Sequence, residues 1–265
     1  MAHTGPAGSS QEEIRLSAEE KSTQADETTL EAFASYCAVF VLALFAFSFV
    51  FQNFEIPSGS MLNTILIGDH VVVDRTTYGA HGNWTPFIPY RDVKRGDVIV
   101  FLKPHEPNLT LVKRVIGIPG DRIHLQDGVV YLNGQPQNEP LATKPDYILP
   151  YRDDFPNVPP SEAMGVTAIW ANELPSHIQG GDLVVPPGEY FAMGDNRPSS
   201  LDGRFWGFVP KENILGRPLF VYWSFVTSAD QQYKTSAGDR IGFFLHIVTH
   251  FFTDTRWTRM FHRIQ

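Results

Sequence analysis

Two textures divide the chain. From Ala32 to Phe51 the sequence AFASYCAVFVLALFAFSFVF carries no charge and is apolar on every helical face. Twenty residues at about 1.5 Å rise reach roughly 30 Å, the thickness of a bilayer core. The pattern predicts a retained transmembrane anchor over 32–52 rather than a cleaved leader, because the preceding segment is acidic and Gln-Asn-Phe-Glu follows. From Phe54 onward, short runs alternate or bunch their apolar residues between Gly, Pro, Asp and Asn. HVVVDR at 70–75, GDVIVFL at 96–102, LVKRVIGI at 111–118, DRIHL at 121–125, GVVYLNG at 128–134, GDLVVP at 181–186, GEYFAMG at 188–194 and PLFVYWSF at 218–225 all read as strands. Asn133-Gly134 supplies the positive φ angles of a type I′ hairpin turn. No helical period is sustained there, so the domain over 53–240 should be mainly β. Residues 138–180, rich in Pro, Asn and Asp, predict an irregular insertion.

The two ends differ from this middle. Residues 1–31 hold seven acidic residues against Arg15 and Lys21 and few large apolar ones, which predicts a disordered tail. That acidity leaves the anchor's orientation open, since positive-inside reasoning needs Lys and Arg on the cytoplasmic flank. The end, 241–265, opens with IGFFLHIVTHFF, too short to span, and continues with the basic, Trp-containing TRWTRMFHRIQ. It either lies along a membrane surface or packs on the core as a last strand or helix.

Composition narrows the function classes. A net charge of −8 over 265 residues argues against nucleic acid as a partner. The single cysteine, Cys37, lies in the apolar run, so no internal disulfide can form. No His/Cys cluster has zinc spacing, the nine histidines are scattered, and neither a metal nor another cofactor is expected.

Three stretches carry candidate chemistry. IPSGSM at 56–61 presents Ser58 and Ser60 just after the apolar run. A serine needs a neighbour to take its proton; Gly-x-Ser-x-Gly is absent and nothing near the histidines marks a triad, but a lysine can act instead if burial makes it neutral, although Ser-x-x-Lys occurs nowhere. Lys113 in LVKRVIGI sits inside an apolar strand. Parity groups it with Leu111 and Val115, and Arg114 with Val112 and Ile116; one of the two charges must face apolar surroundings unless both lie at a sheet edge. MGDNRPSSLDGRFWGFVP at 193–210 opens with a turn-forming Gly-Asp-Asn-Arg and lets Asp202 pair with Arg204. Alone, it reads as a structural loop.

Together, and in this order with IGDHVVVDR at 67–75, RGDVIVF at 95–101 and VKRVIGIPGDR at 112–122, they resemble type I signal peptidase, the membrane-anchored bacterial Ser-Lys endopeptidase. The resemblance runs from about Phe51 to Trp223 and is poor over 138–180. It implies a β catalytic domain with a smaller β extension. Ser60 would be the nucleophile and Lys113 the general base. Ser200 would orient the amine, and the Ser60 N–H with the Ser58 hydroxyl would hold the oxyanion. Asp195, Asp202 and Arg204 would brace the loop, and Phe54, Ile56, Met61 and Val112 would meet substrate. The implied reaction removes N-terminal signal peptides from exported preproteins after Ala-x-Ala-type sites. It would take place on the outer face of a bacterial cytoplasmic membrane, with lipid as a partner and association with the translocon left open. The sequence departs from the family at Asn63, where proline is usual, at Pro198-Ser199-Ser200 and at Gly203. Either Ser199 or Ser200 could orient the amine; spacing from Gly194 favours Ser200. Self-cleaving repressors share the dyad but carry a DNA-binding domain in place of the anchor, and a non-catalytic membrane-anchored scaffold would be indifferent to loss of Ser60.

Overall fold

The structure is a computed structural model in which residues 29–78, 90–144 and 147–265 are described. The tail expected to be disordered lies outside the described residues up to position 28. The chain divides into two units between Ser48 and Phe49.

Helix α1, Thr29–Phe49, accounts for the described residues of the first unit and ends at the boundary. Its stretch Leu30–Phe49 has a mean hydropathy of 2.1 and buries none of its side chains within the protein. The helix begins earlier and ends earlier than 32–52. Glu31 sits in its first turn, where a carboxylate complements the helix dipole. At the other end Phe51 and Gln52 belong to a strand, β1 (Phe51–Glu55), paired with β2 (Asp69–Asp74) in the register Phe51↔Asp74 to Glu55↔His70. Apolar content alone does not distinguish a last helical turn from an edge strand; the ladder to β2 decides it.

In the second unit the eight expected strands all form. β3 is Val98–Lys103, β4 Glu106–Gly117, β5 Arg122–Gln126 and β6 Val129–Leu132. β7 (Gln135–Pro136) and β8 (Ile178–Gln179) are short, and β9 is Asp182–Val184, β10 Glu189–Met193, β11 Val209–Pro210 and β12 Ile214–Ser224. Among the described residues they make an antiparallel seven-stranded sheet, β1-β2-β12-β3-β4-β10-β11, and a five-stranded sheet, β7-β6-β5-β9-β8. Asn133 (φ 52°) and Gly134 (φ 79°) form the two-residue turn between β6 and β7.

Strand β3 separates two cores. Val98 and Val100 join Ile56, Met61, Ile65, Val71, Val73, Val221 and Ile264 in the smaller one. Ile99 and Phe101 join the larger, with Val115, Ile123, Phe155, Trp170 and Phe191. A central strand buried on both faces explains why 98–101 is continuously apolar, whereas β2, half-buried, alternates.

Residues 138–180 do more than the expected irregular insertion. They contain helix α2 (Pro150–Asp153) and helix α3 (Ala168–Glu173), the latter capped by the Thr167 side chain accepting from the Trp170 N–H. Tyr151, Phe155, Trp170 and Leu174 from this segment lie in the larger core. Tyr151 and Phe155, like Trp170 and Leu174, are four apart, but each pair sits on a helix of only four or six residues and its exit, too short to sustain a readable period.

After the four-residue helix α4 (Gly203–Trp206) and β12, helix α5 (Ala237–Asp254) begins at Ser236, whose hydroxyl accepts from the Asp239 N–H at 3.1 Å. Phe243 and His246 pack on Phe225, while Ile241, Phe244, Leu245, Val248 and Phe252 are exposed. The chain then returns along β12, where Val221 N–H donates to His262 O and Ile264 N–H to Leu219 O, both at 2.9 Å.

Candidate active site

Ser60 sits in a loop closed at its base, where the Ile56 N–H donates to Asp69 O and the Gly68 N–H to Ile56 O, both at 2.9 Å. Met61 and Ile65 insert into the smaller core, so burial of two neighbours holds a half-exposed serine. The Ser60 N–H has no acceptor among the described residues. The nearby Ser58 is exposed.

Lys113 comes from the middle of β4, opposite Ile99 of β3. It is 2% exposed, and its Nζ lies 2.7 Å from Ser60 Oγ and 3.0 Å from Val112 O. Of the two adjacent charges, Lys113 is the one on the face shared with Leu111 and Val115. Arg114 turns the other way and grips Asp195 with two 2.8 Å bonds. Burial pushes the Lys113 ammonium down to about 8, while the charges of Asp202 and Asp195 oppose that fall. The opposition is limited because each carboxylate has its own guanidinium. Asp202 takes Arg204 Nε and Nη2 at 2.9 and 2.8 Å, with both side chains fully buried. Burial alone would raise the Asp202 carboxyl; the charge and hydrogen bonds of Arg204 and the Gly194 N–H hold it below the usual range.

The structure departs from the expected site at three points. Ser200 makes no hydrogen bond to Lys113: the amine is occupied by Ser60 and Val112, and Ser200 Oγ, fully buried, has no partner among the described residues. Of the two adjacent hydroxyls, Ser199 is exposed and Ser200 is buried. Ile56 and Met61, at 5% and 2% exposure, are core side chains, whereas Phe54 and Val112 are half-buried and pack against the edge of the same core. Both lie outside β1, in the loop that follows it, and the loop turns their side chains into the smaller core with Val71 and Val98.

Several contributors were missed. Asn196 donates from its N–H to Ser60 O at 3.0 Å and from Nδ2 to Gly59 O at 2.9 Å, clamping the serine loop to the Asp195 loop. Thr64 donates to Asp195 Oδ2 at 2.5 Å. Arg152 reaches the carbonyl of Ser200 and stacks over Phe205 at 4.4 Å. Only Asn196 carried a sequence signal, as part of Gly-Asp-Asn-Arg; the others join segments far apart in the chain.

Gly194 lies where the two loops meet and has no room for a side chain. A Cβ there would lie 2.3 Å from Ser200 Oγ and 2.5 Å from Ser60 O. Gly194→Ala is therefore expected to push the serine loop and the Ser200 loop apart, destabilising the fold by about 1–3 kcal/mol and lowering kcat by roughly 10²-fold. Urea titration and steady-state kinetics on one preparation check both figures; unchanged kcat would contradict the contact.

The profile of a family described as "Signal peptidase, peptidase S26" matches residues 29–223. A signal peptidase I from Buchnera aphidicola is 31% identical over 237 residues, covering 74% of this chain and 76% of its own. One from Pseudomonas fluorescens is 34% identical over 209 residues, covering 72% and 71%. A solved signal peptidase I from Enterococcus faecalis is 30% identical and covers 48% of this chain and 97% of its own, at a TM-score of 0.31, too loose an overlap to argue from.

Proposed function

The chain belongs to the signal peptidase family, peptidase S26, and from that premise we propose that it is a membrane-anchored serine endopeptidase that removes N-terminal signal peptides from exported preproteins, with Ser60 as nucleophile and Lys113 as general base. The observation that carries the reading is the 2.7 Å contact between Ser60 Oγ and a buried Lys113 Nζ. A neutral amine at that distance takes the hydroxyl proton as Oγ attacks the substrate carbonyl. The unpaired Ser60 N–H and the Ser58 hydroxyl receive the oxyanion; one such donor contributes about 2.7–4 kcal/mol. Lys113 returns the proton to the departing amine of the mature protein. A water deprotonated by Lys113 then opens the acyl-enzyme, freeing the signal peptide and restoring Ser60.

The substrate binds as an extended strand, with alternate side chains directed at walls that include Phe54 and Val112. Small pockets exclude large residues, giving Ala-x-Ala-type selection. Asp195, Asp202 and Arg204 hold the Ser200 loop, and Ser200 is the hydroxyl to which the amine turns when Ser60 is acylated. Helix α1 is the single-pass anchor in the bacterial cytoplasmic membrane, with the β unit on its outer face. The exposed apolar stripe of α5 meets the lipid interface.

The test is to incubate the purified protein and its Ser60→Ala variant with a preprotein and sequence the new N-terminus. Cleavage after a small residue by the wild type, and none by the variant at equal folded concentration, is expected. Cleavage by Ser60→Ala would overturn the assignment of the nucleophile.

A further inference from the structure

Residues 139–143, at the start of the 138–180 insertion, touch both halves of the site. At one end Glu139 takes Arg197 Nη1 and Nη2 at 2.8 and 2.6 Å, with both side chains largely buried. Arg197 in turn donates through Nε to the carbonyl of Gly194 at 3.0 Å, and Gly194 abuts Ser60 O and Ser200 Oγ. At the other end the Thr143 N–H donates to Asp195 O at 2.8 Å. The Thr143 hydroxyl accepts from Asn63 Nδ2 at 2.8 Å, and Asn63 Nδ2 also reaches Leu141 O at 3.1 Å. Asn63 belongs to the Ser60 loop and adopts φ 83°, a left-handed conformation in which asparagine is among the better tolerated side chains and which proline cannot reach.

These bonds close a ring. The Ser60 loop is bound by Asn196 to the Asp195 loop, that loop is bound to Thr143, and Thr143 is bound through Asn63 back to the Ser60 loop. A cavity of about 320 Å³ lies behind residues 139–142, lined also by Arg95, Arg114 and Asp195. The segment is therefore held by its polar ends rather than by close packing along its length.

We infer that residues 139–143 are a positioning strap: pinned at Glu139 and Thr143, they hold the Ser60 loop against the Asp195–Ser200 loop so that Ser60 stays in reach of Lys113. The strap touches neither reacting atom and acts through Arg197, Asp195 and Asn63. The inference rests on the reading of Ser60 and Lys113 as the reacting pair.

The test compares kcat, KM and thermal midpoint for the full chain and four variants on one preprotein. Ser60→Ala is the control for the underlying reading. Asn63→Gly keeps the backbone conformation and removes the tether at an exposed position. Thr143→Val removes the hydroxyl and Thr143→Ser keeps it. If the strap positions the nucleophile, Asn63→Gly and Thr143→Val lower kcat about tenfold or more with KM within about twofold and the protein folded at assay temperature, and Thr143→Ser restores the rate. Wild-type kcat in Asn63→Gly and Thr143→Val, or a loss no larger than the fall in folded fraction, overturns the strap. Cleavage by Ser60→Ala would overturn the underlying reading instead, so the two failures are distinguishable.

Discussion

Lys113→Met is expected to lower kcat/KM by about 10⁴-fold and, in the same molecule, to raise the folding stability at pH 7 by about 3 kcal/mol. Both effects follow from one placement. Lys113 is 2% exposed, flanked on its face by Leu111 and Val115, and burial pushes its ammonium from 10.5 to about 8. Its folded value thus lies below its unfolded one. Below about pH 8 the lysine is charged in both states, and the folded state bears the full penalty of holding that charge away from water. Between 8 and 10.5 the unfolded chain keeps a proton that the folded chain has lost, so stability rises with pH. Above 10.5 the penalty is gone. Methionine, unbranched and apolar, has no such penalty, so its advantage should be full at pH 7 and fade by pH 10.5. Urea unfolding of both proteins at pH 7 and pH 10 checks it.

The rate has the same origin. Only the neutral amine can take the Ser60 proton, so wild-type kcat/KM should climb with pH through a midpoint near 8 with the slope of one proton. A Met variant that still cleaves, or that gains no stability, would separate Lys113 from the chemistry.

The sequence made the strands legible and left their contacts hidden. Alternation in β2 and the unbroken apolar run of β3 reflect burial on one face and on two, and both can be read directly. β1 was hidden because Phe51 closes an apolar run and the strand it begins depends on a partner some twenty residues later. The core role of Tyr151, Phe155 and Trp170 was hidden because the helices that deliver them are only four and six residues long, too short for the four-residue spacing of Tyr151 and Phe155 to repeat. For the site, parity separated Lys113 from Arg114 without saying which faced the serine. The fold answers by giving Arg114 a carboxylate, Asp195, from β10's exit loop, and giving Lys113 none in contact. The ring through Asn63, Thr143 and Asn196 joins three segments by long-range backbone and side-chain bonds, and such bonds leave no local pattern.

The second large effect concerns Asp202 and Arg204, whose side chains are both fully buried and joined by two hydrogen bonds. Removing either partner leaves a buried charge alone, so Arg204→Met and Asp202→Asn should each destabilise the fold by about 3–5 kcal/mol. Their effects on the pH–rate profile should have opposite signs. Asp202 is the largest of the charges that lift Lys113 against its burial. Without Arg204 the carboxylate acts unopposed, holds the lysine proton more tightly, and moves the midpoint of the rate profile upward from about 8. With asparagine at 202 the lifting charge is gone and the unpaired guanidinium repels the ammonium, so the midpoint moves downward. Profiles measured on the folded fraction of each variant test this, since loss of stability alone would lower the plateau in both and displace neither. A shift of both midpoints in one direction would contradict electrostatic control of Lys113 by this pair, and would leave the ion pair as a brace for the loop that carries Ser200.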